Sequence, residues 1–287
     1  MKILRQIYFC GVSGALGALV AWLVVGWTNP ASWRHLWLSN AFVGGSLGGL
    51  ITIALVCTRG WVQQWTYSRI LRTVRNGFIC GSIGGAVGLI LGQVAFMWIG
   101  GEWLGRGVGW GMLGLLVGLG QSLGDPSVRR CAVGAGGGAA AGLFAGWIYE
   151  ILTQLFLFQS VTAQLWASSF GLMAVGGILA AGIPFAEKLA ARGVLVVLSG
   201  QRRGTEHLIL DKLLVGRSES CQVVISDDGE LEPEQLALEV CPEGIRVSNV
   251  GQWRSVLVKG ETLPPGAAAV CPSGALIHAG KTGLRVL

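Results

Sequence analysis

Residues 187–198 read EKLAARGVLVVL, and the character of the chain changes within them. Before Arg192 the sequence is apolar, rich in glycine and almost free of charge. From Gly193 onward, short apolar runs alternate with charged and turn-forming residues. The first pattern is typical of membrane-spanning helices, and the second of short β-strands. We therefore expect two domains, a transmembrane domain over 1–192 and a water-soluble domain over 193–287.

The composition supports this division. Of the 287 residues, 52% are hydrophobic, only 13% are charged and 47 are glycine, which is outside the range of soluble globular proteins. Formal charge is +8 over 1–192 and −2 over 193–287. The basic balance therefore belongs to the membrane half, and nucleic-acid binding is not expected.

Cysteine and histidine spacing predicts neither a metal site nor a cofactor. The seven cysteines contain no C-x-x-C pair, and the three histidines lie far apart in sequence. The thiols are most simply interpreted as reduced. They lie at positions 10, 57, 80, 131, 221, 241 and 271.

Several uncharged stretches are long enough to cross about 30 Å of hydrocarbon as helices. We interpret them as about six spans, with four or five as alternatives because the fourth is short and the fifth contains Glu150. Glu150 is expected near the outer surface of the membrane, where its charge reaches water. The six stretches are 7–27, 36–57, 77–99, 107–123, 131–158 and 163–186.

Loop charges predict the orientation, because short cytoplasmic loops are enriched in Lys and Arg. With the N-terminus inside, the outer side carries only Arg34 and Arg106. The inner side carries Lys2, Arg5, Arg59, Arg69, Arg72, Arg75, Arg129, Arg130, Lys188 and Arg192. A multi-pass protein of the cell inner (plasma) membrane with both termini in the cytoplasm is predicted. An outer aromatic belt agrees, formed by Trp27, Trp33, Trp37, Trp98, Trp103, Trp147 and Trp166.

Glycine-rich segments recur along the helices as GSLGG (45–49), GSIGG (81–85) and GAGGG (134–138), and RQIYFCG (5–11) is similar to RNGFICG (75–81). Three tandem helical hairpins explain this repetition. Small residues three or four apart allow helices in lipid to approach closely. We expect this packing within the chain or between copies, as a homo-oligomer.

Residues 58–76 form the one substantial inner loop, with four arginines and with Trp61 and Trp65 one helical turn apart. A helix lying on the inner leaflet is predicted. The alternative is a docking surface for the acidic C-terminal domain.

Three motifs imitate enzyme signatures. GGSLG (44–48) has the pattern of serine hydrolases, but the only histidine of the membrane half, His35, is expected at an outer edge, too far to activate Ser46. GWGMLG (109–114) lies inside a span rather than between a strand and a helix, and GKT (280–282) is expected to be a hairpin turn. No catalytic residue is predicted, so we do not expect an enzyme.

From residue 194 onward, runs such as VLVVL (194–198), KLLV (212–215) and GIRVS (244–248) predict nine to eleven short strands. This density of strands in 95 residues indicates an all-β sandwich.

This region resembles the forkhead-associated (FHA) domain family. LVVLSGQRRGTEHLIL (195–210), LVGRSESCQVVISDD (214–228) and GALIHAGKTGLRV (274–286) carry the resemblance. It implies a sandwich that binds phosphothreonine peptides through loops at one end. Arg217 and Ser218 match the Gly-Arg-Ser motif. The Ser-x-x-His stretch falls on 232–235, where Glu232 and Gln235 replace its hallmark residues, and the Asn-Gly-Thr stretch falls on 254–256.

The altered residues bear on phosphate binding. Six acids and no base lie in 227–239, a field that opposes a phosphate dianion unless Arg217 and Arg254 outweigh it. Retained phosphothreonine binding, phosphate-independent protein recognition and a structural role remain open.

We predict a membrane-embedded signalling adaptor with a cytoplasmic protein partner, which the resemblance allows to be a phosphothreonine protein. Arg217, Ser218 and Arg254 are the candidate partner-binding residues. The alternative is a channel or transporter with a regulatory tail, which substrate flux in liposomes would favour.

Overall fold

The computed structural model describes residues 2–29, 35–99, 102–122, 127–156 and 160–287, and within them the chain forms two compact units. The first unit comprises essentially Ile3–Ala186 and is helical, and the second comprises Glu187–Leu287 and contains the β-strands. The position at which the sequence changes character, Arg192, lies between the last helix and the first strand.

The described part of the first unit contains six helices, as the sequence predicted. Five of them are long and apolar enough to cross a membrane, and the fourth contributes a shorter apolar segment, Gly107–Gln121. Residue 123 and residues 157–158 of the predicted spans lie outside the described residues. The helices are α1 (Lys2–Thr28), α2 (Leu36–Val62), α3 (Tyr67–Ile99), α4 (Glu102–Ser122), α5 (Val128–Leu155) and α6 (Val161–Ala190).

The prediction of a separate surface helix over 58–76 is wrong. Residues 58–62 continue α2, residues 67–76 begin α3, and a four-residue turn joins the two helices. In this turn Gln64 has a φ of 53°, and the Trp65 N–H donates to the Gly60 carbonyl at 2.8 Å. The two helices extend this far because no residue before the turn interrupts the helical hydrogen bonding.

Glycine pairs hold neighbouring helices in close contact. At each pair, a Cβ atom added to one glycine would collide with the backbone carbonyl of the other, so only glycine fits there. The pairs join the end of one predicted hairpin to the start of the next, and α6 to α1, which closes a ring of three repeats. They are Gly44–Gly85 and Gly48–Gly81 between α2 and α3, Gly114–Gly138 and Gly118–Gly134 between α4 and α5, and Gly14–Gly176 between α1 and α6.

The centre of this bundle is filled by branched apolar side chains from the even-numbered helices. Their exposed fractions are 0–1%, so they form a packed core. They are Leu47 and Ile51 of α2, Leu113 and Val117 of α4, and Leu179 and Ile183 of α6.

Glu150 differs from its predicted environment. It lies near the end of α5, as its position in sequence required, but only 1% of its surface is exposed. The Gln154 side-chain amide donates to its carboxylate at 2.8 Å. Polar contacts inside the bundle therefore replace the water contact that the sequence indicated.

Three exposed tryptophans lie at helix ends that the sequence predicted to be on the outer side, whereas Trp61, also exposed, lies at the opposite end of α2. Trp27 at the end of α1, Trp98 at the end of α3 and Trp166 at the start of α6 are all more than half exposed. These helix ends belong to the turns that the sequence predicted to lie outside. Trp33 and Arg34 lie outside the described residues, as do the side chains of Trp103 and Arg106.

The second unit is a sandwich of two sheets, and its eleven strands agree with the nine to eleven that the sequence predicted. Sheet A has the order β2-β1-β11-β10-β7-β8 and sheet B the order β4-β3-β5-β6-β9. The strands are β1 (Gly193–Val197), β2 (Glu206–Ile209), β3 (Lys212–Gly216), β4 (Val223–Val224), β5 (Leu236–Cys241), β6 (Gly244–Asn249), β7 (Val256–Val258), β8 (Glu261–Leu263), β9 (Ala268–Cys271), β10 (Leu276–Ala279) and β11 (Thr282–Val286).

Alternate residues of these strands form a core between the sheets. Leu195, Val215, Leu238, Val247 and Ile277 have no exposed surface. The pairings are antiparallel except that β3 and β4 run parallel. The two edge strands β8 and β9 had not been expected individually, because β8 precedes two prolines and β9 contains alanines with low β-propensity.

Candidate functional site

The Gly216-Arg217-Ser218 segment leaves the end of β3 in a fixed conformation. A Cβ atom on Gly216 would collide with the Pro233 carbonyl, so this position requires glycine. The Arg217 N–H donates to the Glu232 carbonyl at 3.0 Å, and the Ser218 N–H donates to the Pro233 carbonyl at 2.9 Å. The backbone of residues 232–233 therefore positions Arg217.

The Arg217 side chain is exposed, and among the described residues it forms no hydrogen bond or ion pair. The Ser218 hydroxyl, in contrast, is locally engaged. Its oxygen accepts the Ser220 N–H at 3.2 Å and lies 2.9 Å from the Ser220 hydroxyl, which in turn lies 3.0 Å from the Glu234 carboxylate. Arg217 is thus available to a partner, whereas Ser218 already has polar neighbours.

The loop between β6 and β7 carries Arg254, and Glu232 holds this loop. The carboxylate of Glu232 accepts three consecutive backbone N–H groups. Gln252 donates to one oxygen at 2.7 Å, and Trp253 and Arg254 donate to the other at 2.8 Å and 2.7 Å. Because Arg217 donates to the backbone of the same residue, Glu232 joins the two loops that carry the candidate arginines.

Two buried side-chain amides hydrogen-bond to the backbone of the same loop. Gln235 and Asn249 are each 1% exposed, and the Gln235 amide donates to the Asn249 side-chain oxygen at 2.9 Å. Asn249 donates to the carbonyls of Arg254 at 2.8 Å and Leu263 at 3.0 Å. The amide at 235, which stands where the family pattern has histidine, therefore shapes the loop.

Electrostatics keep the Glu232 carboxylate charged. Burial raises its pKa, but the three backbone N–H groups and the positive charge of Arg254 outweigh this, so the pKa lies below its usual value. Charge-assisted hydrogen bonds of this kind are about twice as strong as neutral ones. Glu232 is therefore a fixed anion at neutral pH.

Asp228 has a similar structural role at another turn. Its carboxylate accepts the Lys281 N–H and the Thr282 hydroxyl, both at 2.8 Å, and the Glu230 N–H at 3.0 Å. Burial raises its pKa, but these hydrogen bonds and the charge of Lys281 lower it by more. The pairing of Ala279 with Thr282 confirms that GKT (280–282) is a hairpin turn between β10 and β11.

Trp253 is a candidate residue that the sequence prediction missed. It lies at the tip of the β6–β7 loop beside Arg254, and 83% of its surface is exposed. Its backbone N–H donates to the Glu232 carboxylate, so the backbone that carries the exposed indole is held in place. No periodic apolar pattern surrounds it, and the indole side chain would ordinarily be assigned to a core.

The enzyme-like motifs of the membrane half pack helices in the structure. Gly109 lies against Gly92 of α3, and Gly114 against Gly138 of α5. His35 precedes α2 by one residue and Ser46 lies eleven residues later, about 16 Å along the helix axis. The described residues contain no group of His, Cys, Asp or Glu side chains that could hold a metal ion.

Comparisons with solved structures find FHA domains among the matches to the second unit. The FHA domain of CT664 from Chlamydia trachomatis is 16% identical, covers 34% of this chain and 97% of its own, and has a TM-score of 0.31. The second unit is an FHA-like β-sandwich. An FHA domain of a hypothetical protein from Arabidopsis thaliana gives 22% identity, 34% and 86% coverage, and a TM-score of 0.31.

A third FHA-like match is the cytoplasmic domain of PscD, a sorting-platform protein of a type III secretion system from P. aeruginosa. It is 21% identical, covers 33% of this chain and 78% of its own, and has a TM-score of 0.29. No protein-family model matches the chain, and no curated protein matches it either. The matches concern the FHA-like domain, and they show a fold.

Proposed function

We propose that this protein is a membrane-embedded interaction adaptor, and that its FHA-like domain binds a cytoplasmic protein partner through Arg217, Ser218 and Arg254. The exposed Arg217 guanidinium, on a backbone fixed by Glu232 and without a side-chain partner among the described residues, is the observation that carries this proposal. The planar guanidinium presents its donors in a rigid fork, so an arginine on a fixed backbone loses less conformational entropy for each hydrogen bond that it forms with a carboxylate or phosphate.

The chemistry of the site favours an acidic segment as the partner. Arg217 and Arg254 supply two exposed positive charges on loops that Glu232 joins, and Trp253 adds an exposed indole beside them. Arginine and tryptophan are enriched among the residues that contribute most to protein interfaces. We therefore expect the partner to place acidic groups against the arginines and an apolar side chain against Trp253.

The helical unit fits the anchoring part of the proposal. Five helices have the length and composition to cross a bilayer, and Trp27, Trp98 and Trp166 are exposed at helix ends that the sequence predicted to lie outside. The loop charges support an inner-membrane orientation in which both termini face the cytoplasm. Some helix glycines have no neighbour among the described residues, such as Gly26 of α1, where an added Cβ atom would meet nothing within 4 Å, and a homo-oligomer is part of the proposal.

The alternative of a channel or transporter receives little support from the centre of the bundle. Six central side chains, Leu47, Ile51, Leu113, Val117, Leu179 and Ile183, are apolar and have exposed fractions of 0–1%. An aqueous path requires polar or ionisable groups along its wall.

The test uses the full chain in nanodiscs of zwitterionic lipid and a degenerate library of acidic peptides with threonine or phosphothreonine. We expect Arg217→Ala to weaken binding of the selected peptides about tenfold or more, because it removes a charge-assisted pair. Arg285→Ala is the matched control, since Arg285 is an exposed arginine on β11, away from the loops. Equal affinities for the wild type and the Arg217 variant would refute the proposed site.

A further inference from the structure

The β6–β7 loop contains a complete anion-binding site made of backbone. Three consecutive N–H groups, from Gln252 to Arg254, point at one carboxylate with distances of 2.7–2.8 Å. Successive N–H groups that converge in this way form a concave site for an anion. The anion in this site is the chain's own Glu232.

The surroundings of the Glu232 carboxylate also suit an anion. Arg254 contributes its backbone N–H and the electrostatic field of its side chain, and Arg217 is bonded to the Glu232 carbonyl. Gly251 lies directly under the carboxylate, because a Cβ atom there would be 3.0 Å from Glu232 Oε1 and 2.6 Å from Gln235 Nε2. The chain therefore provides the donors, the space and the positive charge.

We propose that Glu232 is a built-in anion that occupies the phosphate position of the FHA-like domain, so that the domain selects an unphosphorylated acidic partner. A second anion at this place would meet the carboxylate at a distance of about 4 Å. Such like-charge contact weakens binding roughly five- to a thousandfold, depending on the local dielectric constant. The proposal rests on the proposed function for the identity of the surface.

Hydrogen–deuterium exchange of the full chain in nanodiscs tests this proposal directly. In the wild type, we expect the amides of 252–254 to be protected, and inorganic phosphate to leave their exchange unchanged. In Glu232→Ala these amides should exchange about ten- to a hundredfold faster, because each loses a hydrogen bond to a charged group. Phosphate, but not chloride at equal ionic strength, should then restore the protection.

Glu243→Ala is the control for the loss of one negative charge, since Glu243 is exposed in the turn between β5 and β6. It should leave the exchange of 252–254 unchanged, with or without phosphate. Glu232→Gln keeps the size of the side chain and replaces the alanine variant if that variant unfolds. If both variants unfold, the wild type still decides, because phosphate protection of its loop would overturn the proposal.

Three further results would also overturn it. They are unchanged exchange in Glu232→Ala, failure of phosphate to protect the opened loop, and a wild-type preference for phosphothreonine over threonine peptides. These results can be separated from a failure of the proposed function. If phosphate does not protect the loop in Glu232→Ala but Arg217→Ala still weakens peptide binding, only the role of Glu232 is refuted. If phosphate protects the loop in Glu232→Ala but not in the wild type, and Arg217→Ala has no effect on peptide binding, only the partner site is refuted.

Discussion

Glu232 and Asp228 show how single carboxylates determine the shape of two loops. Each accepts three hydrogen bonds, and these donors hold its pKa below the usual value, so each stays charged at neutral pH despite its burial. A cluster of acids that suggested only a repulsive field in the sequence therefore contains at least two internal ligands for backbone N–H groups. Local sequence could not indicate this, because the donors to Glu232 lie 20 to 22 residues away and two of the three donors to Asp228 lie 53 and 54 residues away.

These two carboxylates predict the acid sensitivity of the sandwich. Because their pKa values are lower in the folded state than in the unfolded state, the stability they contribute is fully present above the unfolded pKa. It is lost as the pH falls through the folded pKa, so the free energy of unfolding should fall below about pH 4.

Thermal unfolding at a series of pH values, followed by the β-sheet amide I infrared band, measures this dependence. Asp228→Asn should cost about 1–3 kcal/mol at pH 7, because the amide cannot satisfy the same donors, and should flatten the pH dependence. Glu243→Gln is the control, and a curve as steep in Asp228→Asn as in the wild type would contradict the assignment.

Glycine acts at the scale of whole elements in the helical unit. The recurring GSLGG-type runs bring carbonyl groups of one helix against glycines of the next, so that close contacts replace side-chain packing. The spacing of these glycines predicted helix contacts, but not which helices meet. The sequence did not predict the turn at 63–66 either, because the apolar pattern before it continued into a charged segment.

Two glycines of α5 separate packing from helix propensity. Gly138→Ala should destabilise the bundle by about 1–3 kcal/mol, because its Cβ atom would overlap the Gly114 carbonyl. Gly136→Ala should be neutral or slightly stabilising, because a Cβ atom there meets open space and alanine favours helix. Thermal unfolding in detergent, followed by circular dichroism at the helical band, measures both. The proposal of close α4–α5 packing fails if the two variants unfold at the same temperature.

The whole molecule combines an apolar bundle with an FHA-like domain that has its own core. The tandem repeats close into a ring through α1 and α6, and the centre is filled by side chains of α2, α4 and α6. The sandwich has a separate hydrophobic core between its sheets. Division of the chain into a helical unit and an FHA-like unit therefore follows from two independent cores.

Labelling of single cysteines tests the orientation of the complete chain. A membrane-impermeant maleimide should label Asn29→Cys in intact spheroplasts, because Asn29 follows α1 at the end predicted to lie outside. Glu243→Cys should be labelled only after permeabilisation. The wild type corrects for the seven natural cysteines. Labelling of Glu243→Cys in intact spheroplasts would place the FHA-like domain outside and exclude a cytoplasmic partner.

The sequence by itself determined the change of character near Arg192, a bundle of about six helices, the β-sandwich and the position of Gly216-Arg217-Ser218. These features depend on local composition, periodicity and turn residues, which each segment carries independently. Only the tertiary structure decided that α6 closes on α1, that Glu150 is buried, that Trp253 is exposed and that Glu232 binds the loop of Arg254. Such contacts join residues that are distant in sequence. A glutamate in the sequence looks the same whether its carboxylate repels a ligand or accepts hydrogen bonds from a loop.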